Sequence, residues 1–292
     1  MNINTPEIKN TVARLELKNG KYLSLESPLV MGVINITPDS FYDGGRYISE
    51  QAAIEQAQQL ISQGADIIDL GAASTRPGAD YVPPEEELKR LLPILDYLVK
   101  TYNHVPVSID TFHASVAKET VEKGASIIND ITGGGDAEMY KTAGKLKVPY
   151  VLMHIQGTPK TMQAEPHYND VVEEVYEYFL QRINKLRTAG VEQIIIDPGF
   201  GFGKTVEHNY TLLKRLDRFK SLGLPIMTGV SRKSMINKVL KTKPENALAG
   251  TVALNTIAVL QGSNIIRVHD VKEAKQVIRL VKQYLSPETA TA

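Results

Sequence analysis

The sequence contains no cysteine and no excess of charge of either sign. Without cysteine the chain can form neither disulfides nor thiolate metal sites, and it offers no cysteine nucleophile. Its 33 Lys and Arg residues balance 33 Asp and Glu residues, which argues against a nucleic acid or an anionic membrane bound through overall charge. An anionic ligand must therefore be bound by a local group of residues.

Long apolar runs are also missing. No stretch approaches the about 20 apolar residues that a membrane helix needs, and the N-terminal segment lacks the apolar core of a signal peptide. We therefore expect a cytoplasmic protein with no membrane partner. A chain of 292 residues is long enough for two ordinary domains or for one α/β barrel, so length alone does not decide the fold.

Short apolar runs alternate with segments of helical periodicity through most of the chain. Eight of these runs are predicted strands: Leu29–Ile34, Asp66–Leu70, Val105–Ile109, Ser126–Ile128, Pro149–Met153, Gln193–Ile196, Pro225–Thr228 and Asn264–Val268. Continuous apolar strands that alternate with helices predict a parallel sheet covered on both faces. Gly64, Gly124 and Gly190 each follow a periodic segment, at the position where a left-handed residue ends a helix.

Eight strand–helix units over residues 29–285 predict a single (β/α)8 TIM barrel, a fold that typically takes about 250 residues. An open, doubly wound sheet is the alternative. The count of eight and the absence of a Gly-x-Gly-x-x-Gly turn after the first strand both favour the barrel.

The two ends of the chain lie outside this repeat. Val12–Leu17 and Tyr22–Leu25, joined through Asn19-Gly20, predict a β-hairpin in an N-terminal extension formed by residues 1–28. Residues 286–292 are expected to form a loose C-terminal tail.

In a barrel of this kind the active site lies at the carboxyl ends of the strands. Polar residues cluster after the predicted strands, at Asn35, Asp69, Asp110-Thr111, Asn129-Asp130, His154 with Gln156, Asp197, Ser231–Lys233, and Arg267 with His269. A single residue of this type could be a helix cap, but eight sets at one rim predict a binding or catalytic site. The long loops 35–46 and 71–84 are expected to form a lid over it.

These polar residues stand in motifs that resemble those of the dihydropteroate synthase family. The matching stretches follow the order of the family: Asn35–Phe41 with Asp43-Gly-Gly, Ser74–Gly78, Ser108–Thr111, Ile128–Ile131, Met153–Gln163, Asp197–Lys204, Gly229–Ser234 and Ile266–Val271. The resemblance covers nearly everything from Leu29 to Val271. It implies a (β/α)8 barrel that joins 4-aminobenzoate to the pyrophosphate ester of 6-hydroxymethyl-7,8-dihydropterin in folate biosynthesis, giving 7,8-dihydropteroate and pyrophosphate. It also implies Mg2+ and a homodimer formed through outer helices.

The resemblance further assigns roles to individual residues. The pterin edge is expected to bind Asp110, Asn129, Asp197 and Lys233. The pyrophosphate is expected to bind Arg267, His269 and Asn35, and Asn35 is the implied ligand of Mg2+. The 4-aminobenzoate pocket is expected to contain Thr75, Arg76, Pro77, Phe202 and Ser231. Catalytic roles are implied for Asp110, Asp39, Asp43 and Arg76.

The chemistry of the substrates suggests a dissociative reaction. The methylene carbon under attack is attached to an electron-rich dihydropterin, so pyrophosphate can leave before the arylamine nitrogen attacks. Asp110 near that ring would stabilise the resulting cation. A neutral arylamine needs no strong base, in agreement with a sequence that shows no nucleophile–base pair. This route is a hypothesis.

Two other functions fit part of the sequence. Pterin-dependent methyltransferases share the barrel and part of the pterin edge, and a non-catalytic pterin-binding subunit could keep the fold without turnover. The motifs Ser74–Gly78 and Arg267–His269 suit an arylamine and a diphosphate, and they favour the synthase. Gly203-Lys204-Thr205 resembles the end of a nucleotide-binding P-loop, but Pro198 stands where that motif requires its first glycine, so no ATP site is predicted.

Overall fold

A computed structural model describes residues 14–36, 46–73, 81–158 and 160–286. The first elements in the described ranges form the predicted hairpin, in which β1 (Arg14–Glu16) and β2 (Tyr22–Ser24) pair antiparallel. The connection is a short 3-10 turn, Lys18–Gly20, and Gly20 ends it with φ +72°, a left-handed conformation that glycine adopts without strain.

Eight further strands form one parallel sheet: β3 (Leu29–Asn35), β4 (Ile67–Gly71), β5 (Val107–Asp110), β6 (Ile127–Asp130), β7 (Tyr150–Met153), β8 (Ile194–Asp197), β9 (Met227–Thr228) and β10 (Ile265–Val268). Neighbours in the sheet follow the order β8-β7-β6-β5-β4-β3-β10-β9. A parallel bridge between Ile196 and Ile226 joins the two outermost strands, so the sheet curls into a nearly closed ring. The predicted TIM barrel is confirmed, and each predicted strand is present within two residues of its expected bounds.

Helices alternate with these strands: α1 (Arg46–Ser62), α2 (Pro84–Thr101), α3 (Ala114–Glu122), α4 (Met139–Leu146), α5 (Val171–Thr188), α6 (Val206–Lys214), α7 (Ser234–Leu240), α8 (Leu248–Leu260) and α9 (Val271–Leu285). Two start at side-chain caps, since Asp170 accepts bonds from the first turn of α5 and Thr205 does the same for α6. Gly64, Gly124 and Gly190 have φ values of +96°, +113° and +88°, as predicted for residues that end helices. None of the helices in the described ranges combines the length and the hydrophobicity of a membrane span.

The alternation of side chains along the strands builds the interior of the barrel in layers. Near the amino ends of the strands, the inward side chains form an apolar cluster that includes Ile67, Ile127, Ile195 and Ile265. Two residues further along the same strands, the inward positions hold polar residues: Asp69, Asn129, Asp197 and Arg267. Because side chains point to the same face every second residue, all four project into the interior above the apolar cluster.

The hairpin covers the opposite, amino-terminal mouth of the barrel. Leu15 from β1 and Leu25 just after β2 belong to the same apolar cluster as the inward isoleucines. Gln193, just before β8, accepts a bond from the backbone nitrogen of Glu16 and donates to the backbone oxygen of Glu16. With that mouth covered by the hairpin, we expect a ligand to reach the polar layer from the carboxyl ends of the strands.

Candidate active site

Arg267 links two carboxylates inside the barrel. Its Nε donates to Asp69 Oδ2 at 2.7 Å, and its Nη2 donates to Asp110 Oδ2 at 2.6 Å. Burial on its own would lower the pKa of Arg267, but the two carboxylates raise it above the ordinary value, so the guanidinium stays charged. The side chain remains one-fifth exposed, because its outer edge lies at the open end of the barrel.

Asn129 and Asp69 leave two acceptors available in this interior. Asn129 Nδ2 donates to Asp69 Oδ2 at 3.1 Å. Among the residues that the structure describes, neither Asn129 Oδ1 nor Asp69 Oδ1 has a hydrogen-bond partner. A buried acceptor without a donor costs about 1–3 kcal/mol, so a ligand with N–H groups would be stabilised here.

Asp110 is buried, and burial shifts its pKa. Burial, together with the charge of the neighbouring Asp69, raises the pKa of Asp110 to about 7, although the Arg267 charge opposes this rise. In its 2.6 Å ion pair with Arg267, Asp110 nevertheless acts as the carboxylate acceptor.

Asp197 and Lys233 form the other side of the interior. Asp197 Oδ1 accepts from the backbone nitrogen of Gly199 at 2.8 Å, and burial raises its pKa, although Lys233 counteracts this rise. Lys233 Nζ donates to the backbone oxygen of Phe200 at 2.5 Å and lies 4.7 Å from the ring centre of Phe202. Burial lowers the pKa of Lys233 to about 8, with the charge of Asp197 opposing the shift.

A second, fully enclosed lysine shapes the loop that carries these aromatic residues. Lys204 Nζ donates to the backbone oxygens of Gly199, at 3.0 Å, and Phe202, at 2.9 Å, and lies 2.9 Å from His154 Nδ1. Burial lowers the pKa of Lys204 to about 7 and holds the pKa of His154 well below its ordinary value, so His154 is neutral. Lys204 thus holds the loop from within, in a role unlike that of a P-loop lysine.

Ser231 and His269 join the loops after β9 and β10. Ser231 Oγ lies 3.0 Å from His269 Nδ1 and accepts from the His269 backbone nitrogen at 3.2 Å. Next to them, Arg232 donates to both carboxylate oxygens of Asp270, at 2.6 and 2.9 Å. Desolvation and the nearby Arg267 charge lower the pKa of His269 to about 4. His269 is thus a neutral hydrogen-bonding group near neutral pH, and Arg267 carries the positive charge of the predicted pyrophosphate pair.

Asn35 lies at the exposed carboxyl end of β3, and parallel pairing aligns it with Gly71 and then with Asp110. A methyl group added at Gly71 would lie 3.3 Å from Asp110 Cβ and 3.6 Å from Asn35 Oδ1. The glycine thus leaves room for both side chains at one place on the rim. Within the described ranges, no group of three His, Cys, Asp or Glu residues is arranged to hold a metal ion.

The structure brings together the predicted residues Asp110, Asn129, Asp197, Lys233 and Arg267 in the barrel interior, with Asn35, Phe202, Ser231 and His269 at its open end. Five predicted residues lie outside the described ranges: Asp39, Asp43, Thr75, Arg76 and Pro77. The expected lid therefore stays a prediction. The sequence-based site included Asp69 only as a rim residue without a role, and it omitted Lys204. The contacts of both residues organise several members of the site.

Residues 31–269 match the family model described as pterin binding enzyme. A dihydropteroate synthase from Escherichia coli (strain K12) is 46% identical over 269 residues, which cover 91% of this chain and 95% of that protein. The chain belongs to the dihydropteroate synthase family. As a member it is an enzyme, a transferase of folate synthesis.

Solved structures of dihydropteroate synthases are similar to the structure of this chain. The dihydropteroate synthase of Yersinia pestis, in complex with a sulfonamide drug, superposes with a TM-score of 0.89 at 41% identity. The dihydropteroate synthase of Xanthomonas albilineans, in complex with 7,8-dihydropteroate, gives 0.84 at 37% identity. Each alignment covers 94% of this chain and 99% of the other. The comparisons confirm the synthase prediction and do not favour the methyltransferase or the non-catalytic alternative.

Proposed function

We propose that this chain joins 4-aminobenzoate to the pyrophosphate ester of 6-hydroxymethyl-7,8-dihydropterin, with the residues of the barrel interior in the roles given below. The observation that carries the proposal is the ion-pair network in which Arg267 bridges Asp69 and Asp110 beside Asn129. It supplies the permanent charge of Arg267 and two buried acceptors without partners among the described residues, a combination that suits a polar heterocycle with a charged substituent.

The pterin edge would bind deepest. Its N–H groups would donate to Asn129 Oδ1 and to the carboxylates of Asp110 and Asp197, while Lys233 would donate to a ring acceptor. A site built from such groups discriminates strongly, because a ligand lacking one partner leaves a buried group unsatisfied.

The diphosphate would lie at the open end, where Arg267 and His269 meet. Arg267 uses Nε and Nη2 for the carboxylates, which leaves Nη1 for phosphate oxygens, and His269 would add a neutral hydrogen bond. Asn35 would contribute an amide oxygen to Mg2+, which prefers hard oxygen ligands. When bound with the diphosphate, the ion would neutralise charge on the leaving group. Since one amide is a weak metal site, we expect tight Mg2+ binding only with that substrate.

The reaction would proceed in two steps, one in which a bond breaks and one in which a bond forms. The bond between the methylene carbon and the diphosphate oxygen breaks, and its electron pair leaves with pyrophosphate. The cation that remains is delocalised into the dihydropterin, near the carboxylates of Asp110 and Asp197, which stabilise it electrostatically. The lone pair of the arylamine nitrogen then forms the new carbon–nitrogen bond, and the nitrogen loses a proton to solvent.

The 4-aminobenzoate pocket would be completed by two long loops. Phe202, next to Lys233, and Ser231, which bonds His269, would supply its inner side. Thr75, Arg76 and Pro77 would supply the outer side, with Asp39 and Asp43 acting catalytically from the first loop together with Arg76. These assignments rest on the family resemblance.

The enzyme would be a cytoplasmic homodimer. Large apolar side chains on the outer helices α7, α8 and α9 are 40–73% exposed: Val239, Leu240, Ile257, Leu260, Leu280, Tyr284 and Leu285. Apolar surface of this kind supports an interface between two copies. Light scattering should give the mass of two chains, and the double substitution of Leu280 and Tyr284 by Lys should give one chain. A monomeric parent protein would refute the dimer.

The decisive test is release of pyrophosphate from the purified chain with both substrates, with formation of 7,8-dihydropteroate measured in parallel. Absence of both products would refute the proposed function. An assay without 4-aminobenzoate tests whether the bond to pyrophosphate breaks before the carbon–nitrogen bond forms. A burst of pyrophosphate supports the dissociative route, whereas strictly simultaneous consumption of both substrates in single turnovers contradicts it.

A further inference from the structure

Asp69 occupies a central position beneath the proposed substrate-binding residues. Its side chain is completely buried, and its Oδ2 accepts two bonds, from Arg267 Nε at 2.7 Å and from Asn129 Nδ2 at 3.1 Å. Both donors belong to the proposed binding set, whereas Asp69 has no assigned role.

The topology gives these two bonds a geometric consequence. Asp69 lies on β4, Asn129 lies on β6 and Arg267 lies on β10, and in the barrel β4 is two strands away from each of the others. A single carboxylate oxygen therefore fixes the separation between two side chains that reach toward it from opposite directions.

The same bonds also decide which atoms face the ligand. With Nδ2 bound to Asp69, the Asn129 amide presents Oδ1 as its remaining acceptor, and this atom is buried without a partner in the described part of the chain. With Nε bound to Asp69 and Nη2 bound to Asp110, Arg267 cannot swing outward into solvent without breaking two ion-pair bonds. Side chains held in this way lose little conformational entropy when the ligand binds.

We propose that Asp69 is a positioning residue of this enzyme: it orients the Arg267 guanidinium toward the diphosphate and the Asn129 amide toward the pterin. This inference rests on the proposed function and adds a residue to it. A purely structural carboxylate is available for comparison at the opposite end of β4. Asp66 binds Lys275 Nζ at 2.9 Å and the backbone nitrogen of Val30 at 2.7 Å, away from the polar interior.

The first experiment compares Asp69→Asn with Asp66→Asn. Asp69→Asn should lower kcat/KM by about 10- to 100-fold, the usual cost of removing a partner that orients a functional side chain, and should raise KM for the pterin substrate. Asp66→Asn should lower Tm and leave kcat/KM within about twofold, since Asp66 contacts Lys275 and the Val30 backbone and none of the proposed binding residues. Wild-type kinetics in a folded Asp69→Asn variant would overturn the inference. An inactive wild-type protein would instead refute the proposed function.

A double-mutant cycle then separates positioning from general stability. If Asp69 acts on the pterin through Asn129, Asp69→Asn in an Asn129→Ala background should lose little beyond the single Asn129→Ala variant in affinity for 6-hydroxymethyl-7,8-dihydropterin, which lacks the diphosphate that Arg267 would bind. Losses that multiply fully in the cycle would contradict the inference. If Asp69→Asn does not fold, Asp69→Ser, which is smaller and uncharged, takes its place in the same cycle with the same two outcomes.

Discussion

Lys233 and Phe200 connect the loops after β9 and β8 through a 2.5 Å hydrogen bond, from the Lys233 ammonium to the backbone oxygen of Phe200. The bond holds the ammonium beside the Phe202 ring, 4.7 Å from its centre. The loop from 199 to 204 thus supplies both an acceptor and an aromatic face to one cation. Any change that moves this loop should therefore appear in the kinetics as a change at Lys233.

Activity should fall as the pH rises above about 8. The pKa of Lys233 is lowered to about 8 by burial, so the residue loses its proton, and with it a charged donor to the pterin, at that pH. Lys233→Arg, whose charge does not titrate in this range, should lack this limb in a profile of kcat/KM against pH. An unchanged alkaline limb in that variant would contradict the assignment.

The fall in activity above about pH 8 should not result from unfolding of the protein. Because the pKa of Lys233 is lower in the folded state than in the unfolded state, the unfolded chain binds more protons between about pH 8 and 10.5. The contribution of Lys233 to the free energy of unfolding therefore rises with pH while activity falls. Denaturant titrations of the parent protein and the Lys233→Arg variant at pH 7.5 and pH 9 would measure the difference in slope.

Lys204 should matter although it touches no proposed substrate group. Lys204→Met removes the donor to the backbone oxygens of Gly199 and Phe202, and each unsatisfied buried oxygen costs about 1–3 kcal/mol. We expect a lower Tm and a lower kcat/KM, because the displaced loop no longer holds Lys233. Lys214→Met, on the exposed last turn of α6, is the matched control and should change neither quantity. A Lys204→Met variant with normal kinetics would argue that the loop is held by other contacts.

The sequence predicts the barrel well because strand alternation and helix periodicity are local signals. It also predicts most of the interior polar residues, since Asp110, Asn129, Asp197 and Arg267 lie within family motifs. Asp69 is one of the predicted rim residues, two residues after the inward Ile67, but the sequence assigns no role to it. The pairing of Asp69 with Arg267 could not be predicted, because 198 positions separate the two residues in the chain.

The role of Lys204 could not be predicted from the sequence, for a different reason. A lysine after a glycine-rich loop resembles a phosphate-binding residue, and sequence alone does not reveal that its ammonium turns inward onto backbone oxygens. The charge state of His269 could not be predicted from the sequence either, since it depends on desolvation and on the nearby Arg267. Both properties follow from the three-dimensional surroundings of the side chain.

The hairpin should stabilise the barrel without contributing to the site. Leu15 is almost completely buried in the apolar cluster at the amino-terminal mouth, so Leu15→Ala should lower the free energy of unfolding by about 2–5 kcal/mol. The active site lies at the other end of the strands, so KM for both substrates should be unchanged in the folded variant. Tyr22→Ala, at a side chain that is 58% exposed on β2, is the control for the hairpin itself. A large KM change for Leu15→Ala would show that the two ends of the barrel are coupled.

Two glycines with nearly the same backbone conformation should respond very differently to alanine. Gly199 and Gly20 have φ values of +71° and +72°, so alanine costs about 1–2 kcal/mol at each for the left-handed backbone alone. At Gly20 the added methyl group meets nothing within 4 Å, whereas at Gly199 it would lie 1.9 Å from the backbone oxygen of His154. Gly199→Ala must therefore also displace the loop that holds Lys233, and we expect a further loss of stability together with a fall in kcat/KM of at least about 10-fold. Denaturant unfolding and steady-state kinetics of the two variants measure both effects, and equal behaviour of the two would show that the loop after β8 yields without disturbing the site.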